Sequence, residues 1–228
     1  PLTNHGLDQY HDKIMPWFRS PTALRERVAS GVPWEVPARG ETLSLSAASE
    51  ARARDAFRGA YFGIAGNVLD SGISNVADLN MAVELALDMT PPFSHMNQLG
   101  VKDSLALVEK YAREHAGFVV PRCLAEQAQK DTPWAISTVL REDRGDIAII
   151  TVRRPKVLNA LNRDAFLQIE EHFLALKSDA RIRGIVVTGF GTKAFVAGAD
   201  VHFLAKIDSP EAGVATSTES NRVLLAVE

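Results

Sequence analysis

Lys193-Ala194-Phe195-Val196-Ala197-Gly198-Ala199-Asp200-Val201 is the stretch whose residue types can do chemistry. It follows an apolar run, Gly184-Ile185-Val186-Val187-Thr188-Gly189. A strand, a glycine loop, small residues, an acid and then a helical pattern aim backbone N–H groups at a developing negative charge. Small residues let a carbonyl come within hydrogen-bonding distance of those donors, and a helix start adds its dipole. The pattern predicts a buried strand over 185–188 and an Ala199 N–H facing a concave pocket. The bland alternative is a tight loop with no ligand. Elsewhere, Glu170-Glu171-His172 reads as a solvated helix face rather than a metal cluster, and no ligand spacing supports a metal. Gly189-Phe190-Gly191-Thr192-Lys193-Ala194 fits G-x-G-x-x-[GA] after a strand. A dinucleotide site needs a helix to begin inside that fingerprint, and Ala194-Phe195-Val196 before Gly198 reads as extended chain.

The elements around this stretch follow from periodicity. Residues 136–140 and 147–152 are β-branched runs, and the charged segment 141–146 between them reads as a hairpin loop. A helix from Asn162 or Arg163 to about Lys177 carries Phe166, Ile169, Phe173, Leu174 and Leu176. Strand, strand, helix, strand, helix is α/β order. Upstream the pattern is helical. Residues 1–45 are punctuated by prolines, with a short helix over 21–28. A long helix over 46–70 has Ser46 as its N-cap and Phe57, Tyr61, Ile64 and Val68 as an apolar stripe, and it ends at Gly72. Asn75 caps a second helix with Leu79, Ala82, Val83 and Ala86 on one face. Residues 90–93 break the chain. A third helix covers about 102–114, with Leu105, Val108 and Tyr111 inward. Composition shifts near Asp131-Thr132-Pro133. The predicted domains are therefore 1–131 and 132–228.

The stretch 193–201 closely resembles the K-A-F-x-A-G-A-D-[IV] signature of the enoyl-CoA hydratase/isomerase (crotonase) superfamily. Arg154-Pro155-Lys156-Val157-Leu158-Asn159-Ala160-Leu161 resembles the R-P-x-x-x-N-A-L run of the same superfamily, about forty residues earlier and in the family's order. The resemblance covers roughly 135–228. It implies a partial α/β crotonase (ββα spiral) fold and chemistry on a coenzyme A thioester through an enolate or oxyanion. Carried over residue by residue, it makes the N–H of Ala199 the first oxyanion donor. Ala197 and Gly198 then line the adenine side of the CoA pocket, and Asp200, Val201 and His202 open the following helix. Lys156 falls near the nucleotide phosphates and Leu158 near the pantetheine arm. The plain alternatives are a solvated Lys156 and a surface His202; the family usually has Lys at the latter position. The second donor and the two glutamates that activate water would lie downstream of Glu228.

Residues 60–125 resemble the helical C-terminal domain of 3-hydroxyacyl-CoA dehydrogenases. The matching segments are Ala65–Ile73, Asn75–Ala82, Pro91-Pro92-Phe93 and Leu99-Gly100-Val101, with Gly6-Leu7-Asp8 as an earlier G-L-D. Leu87-Asp88-Met89-Thr90 stands where the family has a glycine-rich stretch. A generic helical domain is the alternative. The resemblance implies an all-α first domain. It also implies that an NAD-binding domain and a catalytic His–Glu pair precede Pro1, since none of the six histidines matches that His. Together the two resemblances imply an α+β two-part piece of a bifunctional fatty-acid β-oxidation protein. The substrate would be an acyl-CoA, NAD would be the cofactor of the dehydrogenase, and the whole protein would be a homo-oligomer. The rivals are another crotonase-fold reaction, such as enoyl-CoA isomerisation or thioester hydrolysis, and a non-catalytic CoA-thioester-binding or assembly module.

Bulk properties agree with that class. The net charge of −3 over 228 residues gives no long-range pull toward nucleic acid or an anionic membrane. No apolar run approaches the ~18–20 residues that span a bilayer. A single cysteine, Cys123, excludes an intrachain disulfide. A reducing, cytoplasmic setting is the expectation. The start at Pro1 and the stop within an uncapped helical pattern predict an excerpt of a longer chain.

Overall fold

The computed structural model describes residues 22–33, 38–41 and 44–227. The expectations for residues 1–21, including Gly6-Leu7-Asp8, lie outside the described residues. The chain divides into two compact units, Pro1–Ala135 and Ile136–Glu228.

The described elements of the first unit are helices: α1 Thr22–Ser30, α2 Ala47–Asp70, α3 Val76–Ala86, α4 Pro92–Leu99, α5 Val101–Glu114 and α6 Arg122–Lys130. Ser46 caps α2 by accepting from the Ser49 N–H, and Asn75 caps α3 by accepting from the Asp78 N–H. The expected apolar stripe of α2 is corrected. Phe57 and Ile64 are exposed, whereas Gly59, Phe62, Gly63, Ala65 and Gly66 are buried. The reason is backbone proximity. A Cβ on Gly59 would lie 2.6 Å from the Leu107 carbonyl oxygen, and one on Gly66 would lie 2.6 Å from Pro121 Cβ. Helices α4 and α6 are also findings. The Pro91-Pro92 pair starts a helix rather than only breaking one, because Pro at a first turn forfeits no hydrogen bond. Asp70 spans 52 residues to accept from the Arg122 N–H at 2.6 Å, and it also accepts from the Cys123 N–H, so α6 is capped from α2.

The second unit holds a three-stranded sheet in the order β1 (Val139–Arg144), β2 (Ile147–Val152), β3 (Gly184–Gly189). β1 pairs antiparallel with β2, with Val139 opposite Val152. β2 pairs parallel with β3, with Ile147 opposite Gly184. The parallel pair needs a crossover, which α7 (Arg163–Lys177) supplies. Strand β1 runs through the charged segment expected to be a loop, leaving a two-residue turn at Gly145-Asp146. An edge strand tolerates those charges because they pair along it, Arg141 with Asp143 and Arg144 with Glu142.

Ala148, Ile150 and Val152 of β2 are fully buried and meet Phe166, Ile169, Phe173 and Leu176 of α7. Val223 of α9 (Pro210–Val227) joins the same core. Burying each large apolar side chain contributes roughly 1.5–3 kcal/mol. The expectation of a buried strand at 185–188 is corrected. β3 is a strand, but Ile185 and Val186 are 40% and 49% exposed. It stands at the sheet edge, with one neighbour.

Candidate functional site

The site grows from the loop after β2. Pro155–Val157 forms a 3-10 turn that exposes Lys156, and Leu158 and Asn159 follow in the left-handed region, with φ of 53° and 59°. Asparagine tolerates that conformation better than most residues, leucine does not. What holds the pair there is Asn159, whose side chain is buried and fully engaged. Its Oδ1 accepts from the Arg154 N–H at 3.0 Å. Its Nδ2 donates to the Phe190 and Ala194 carbonyls, both at 3.0 Å. One amide thus ties the turn after β2 to the first half of the loop after β3.

Gly189 makes this approach sterically allowed. A Cβ there would lie 2.6 Å from Asn159 Nδ2, 2.6 Å from the Ala194 carbonyl, and inside the Phe195 carbonyl. The loop then runs alongside 158–161 as extended chain. The Ala197 N–H donates to Leu158 O, the Leu161 N–H to Gly198 O at 2.8 Å, and the Asp200 N–H to Leu161 O at 2.8 Å. In this parallel bridge between Leu161 and Ala199 the donors at 197 and 200 face the 158–161 turn. The Ala199 N–H is turned the other way. Among the described residues no acceptor takes it.

Asp200 closes the arrangement. Its Oδ1 accepts from the His202 N–H at 2.8 Å, capping the short helix α8 (Val201–Leu204). Its Oδ2 accepts from Arg154 Nη2 at 2.7 Å. Nη1 of the same guanidinium donates to the Ala160 carbonyl. The Arg154 guanidinium holds the Asp200 carboxyl below the usual carboxylate range. The His202 N–H works in the same direction, and burial opposes both. Both side chains are largely sequestered, at 17% and 7% exposure.

The structure thus brings Leu158 together with the 197–200 loop. Ala197, Gly198 and Ala199 are exposed, as are Val201 and His202 on α8 and Lys156 on its turn. The Ala199 N–H is exposed on this loop rather than enclosed. Two clefts of this unit, about 340 and 590 Å³, are lined by α7, β1, β3 and their flanking turns, and neither includes a residue of 195–202. Asp200 was expected at the site, but its pairing with Arg154 and the role of the Asn159 amide were not. The signal was available in the Asn that follows Leu158, a residue type suited to the left-handed region.

Residues 147–222 match the family described as enoyl-CoA hydratase/isomerase. A crotonyl-CoA hydratase from Syntrophomonas wolfei is 36% identical over 78 residues, which is 34% of this chain and 30% of that protein. A short-chain-enoyl-CoA hydratase from Clostridium acetobutylicum is 34% identical over 76 residues, 33% of this chain and 29% of that protein. Among solved structures, an enoyl-CoA hydratase/carnithine racemase from Magnetospirillum magneticum shares 29% identity, covering 41% of this chain and 35% of the other, at a TM-score of 0.39. The chain spans about three-tenths of the length of these curated relatives. The similarity to enoyl-CoA hydratase/isomerase proteins thus lies within the second unit, over residues 147–222.

Proposed function

We propose that the second unit takes part in enoyl-CoA hydratase chemistry, with the Ala199 N–H as one donor to the thioester oxygen as it gains negative charge. The observation that carries this reading is the Ala199 N–H itself. It is turned away from its bridge partner and, among the described residues, left without an acceptor, in an exposed run of small residues beside a capped helix start. Such a donor contributes about 3–4 kcal/mol to an oxyanion transition state in comparable sites. Leu158, beside Ala197, is the apolar surface for the pantetheine arm, and Lys156 and His202 are the cationic or polar groups for the nucleotide end. The relatives' names support a CoA thioester as substrate.

General acid/base catalysis needs a group that can give and take the proton. Asp200 is engaged by Arg154 and by its own helix cap, so it is no free base. The role proposed for this chain is therefore to bind and polarise a thioester, with no proton-transfer role for Asp200. The test is titration with crotonyl-CoA labelled with ¹³C at the thioester carbonyl, alongside a hydration assay. A downfield carbonyl shift without turnover is expected. Turnover that survives repurification, or saturation binding without any shift, overturns the reading.

The finer proposal joins the first unit to the helical domain of a 3-hydroxyacyl-CoA dehydrogenase, so that the whole protein hydrates an enoyl-CoA and oxidises the product with NAD. It rests on the residue pattern at 65–101 alone. An NAD-binding βαβ unit and a His–Glu pair encoded upstream of Pro1 are expected; a different upstream domain would remove this proposal.

A further inference from the structure

We infer that Arg154 is a positioning residue for the Ala199 N–H. This rests on the oxyanion reading above and names what would hold that donor in place.

The argument begins with the isolation of the donor. Ala199 sits in an exposed loop whose own glycine, Gly198, has φ of 117° and meets nothing within 4 Å of where a side chain would be. Local sterics therefore do not fix the Ala199 peptide. Its direction is set by two flanking bonds, Leu161 N–H to Gly198 O and Asp200 N–H to Leu161 O. Both depend on where Leu161 lies relative to Asp200. Arg154 bridges these two strands: one guanidinium nitrogen donates to the Ala160 carbonyl, next to Leu161, and the other donates to the Asp200 carboxylate, next to Ala199. A planar guanidinium with two donors at fixed separation acts as a spacer between the segments, which a point-charge ammonium cannot copy. Its own backbone is anchored by the Asn159 amide, so the spacer starts from a fixed point.

A donor that acts on a developing charge must be in place before the charge appears. The latch therefore contributes to carbonyl polarisation more than to affinity, because the CoA contacts proposed for Lys156 and Leu158 do not pass through it.

The experiment uses the full 228-residue chain with two readouts: the ¹⁵N order parameter of the Ala199 amide, and the ¹³C shift of carbonyl-labelled crotonyl-CoA at saturation. In the parent chain an order parameter near the rigid value of about 0.85 is expected, falling below about 0.6 in Arg154→Met. The bound carbonyl shift collapses in Arg154→Met while Kd changes by less than about threefold, and Arg154→Lys recovers only part of the shift. If Arg154→Met unfolds the unit, Asp200→Asn serves instead, because it keeps an acceptor for the His202 N–H and loses the charge. A full carbonyl shift in a folded variant overturns the inference. No shift in the parent chain with a rigid Ala199 amide overturns the oxyanion reading and, with it, the functional role of the latch.

Discussion

Replacing Asn159 with alanine tests how the loop after β3 is held. The side chain makes three hydrogen bonds of 3.0 Å, from the Arg154 N–H and to the Phe190 and Ala194 carbonyls. At a net value of about 1 kcal/mol each, their loss costs about 3 kcal/mol. Alanine must also occupy φ near 59°, which adds about 1–2 kcal/mol for a residue with a Cβ. The expected total for Asn159→Ala is about 4 kcal/mol. Asn159→Gly loses the same three bonds but meets no left-handed penalty, so it should cost about 3 kcal/mol. That ordering inverts the usual preference for alanine over glycine. Tryptophan and tyrosine fluorescence cannot report it, because Trp17, Trp34, Trp134, Tyr10, Tyr61 and Tyr111 all precede Ile136. The assay is amide hydrogen exchange at Ile150, paired on β2 between two neighbours. About 4 kcal/mol corresponds to exchange roughly a thousandfold faster when opening is global. Acceleration below about tenfold, or a glycine variant less protected than the alanine variant, would refute the reasoning.

Gly189→Ala should destabilise the second unit by about 3 kcal/mol through overlap with the Phe195 and Ala194 carbonyls, whereas Gly191→Ala, in open space at φ 84°, should cost only about 1 kcal/mol. Equal shifts of the urea midpoint would count against the close approach at Gly189. Arg181 holds Asp179, and Arg154 holds Asp200, below the usual carboxylate range. The unfolded chain takes up those protons near pH 3.9, so the stability they supply is complete above that value and is lost as pH falls toward the folded values. The urea midpoint of the Ile150 resonance should therefore drop below about pH 4, and less steeply in Asp200→Asn; identical slopes would exclude Asp200 as a contributor. Broad-specificity proteolysis should cut first beside Ala135 rather than at 131–134 or 136–138, because Gln168 donates to the Ile136 carbonyl and accepts from the Thr138 N–H. Gln127 donates to the Thr132 and Pro133 carbonyls, and Asn97 brackets both the N–H and the carbonyl of Trp134. First cleavage inside 131–134 would contradict that tethering.

Most elements were legible from the chain because their causes are local. Ser46, Asn75 and Asn162 cap helices with their own side chains, and β2 shows as the β-branched run Ile147–Val152. The motif residues were legible too, because small residues between a strand and a capped helix are a local pattern. What the chain alone could not show depends on which residues lie close in space but far apart in sequence. The buried face of α2 is its glycine face because α5 and Pro121 come too close for side chains. The charged strand β1 is recognisable only once its pairing with β2 makes it an edge. Arg154 and Asp200 are 46 positions apart, and Asn159 reaches 31 and 35 positions to Phe190 and Ala194. Residue type determined that an amide and an ion pair were available. Only the parallel pairing of β2 with β3 brought them against the loop that carries Ala199, because a crossover connection sets distant segments side by side and periodicity carries no record of the distance.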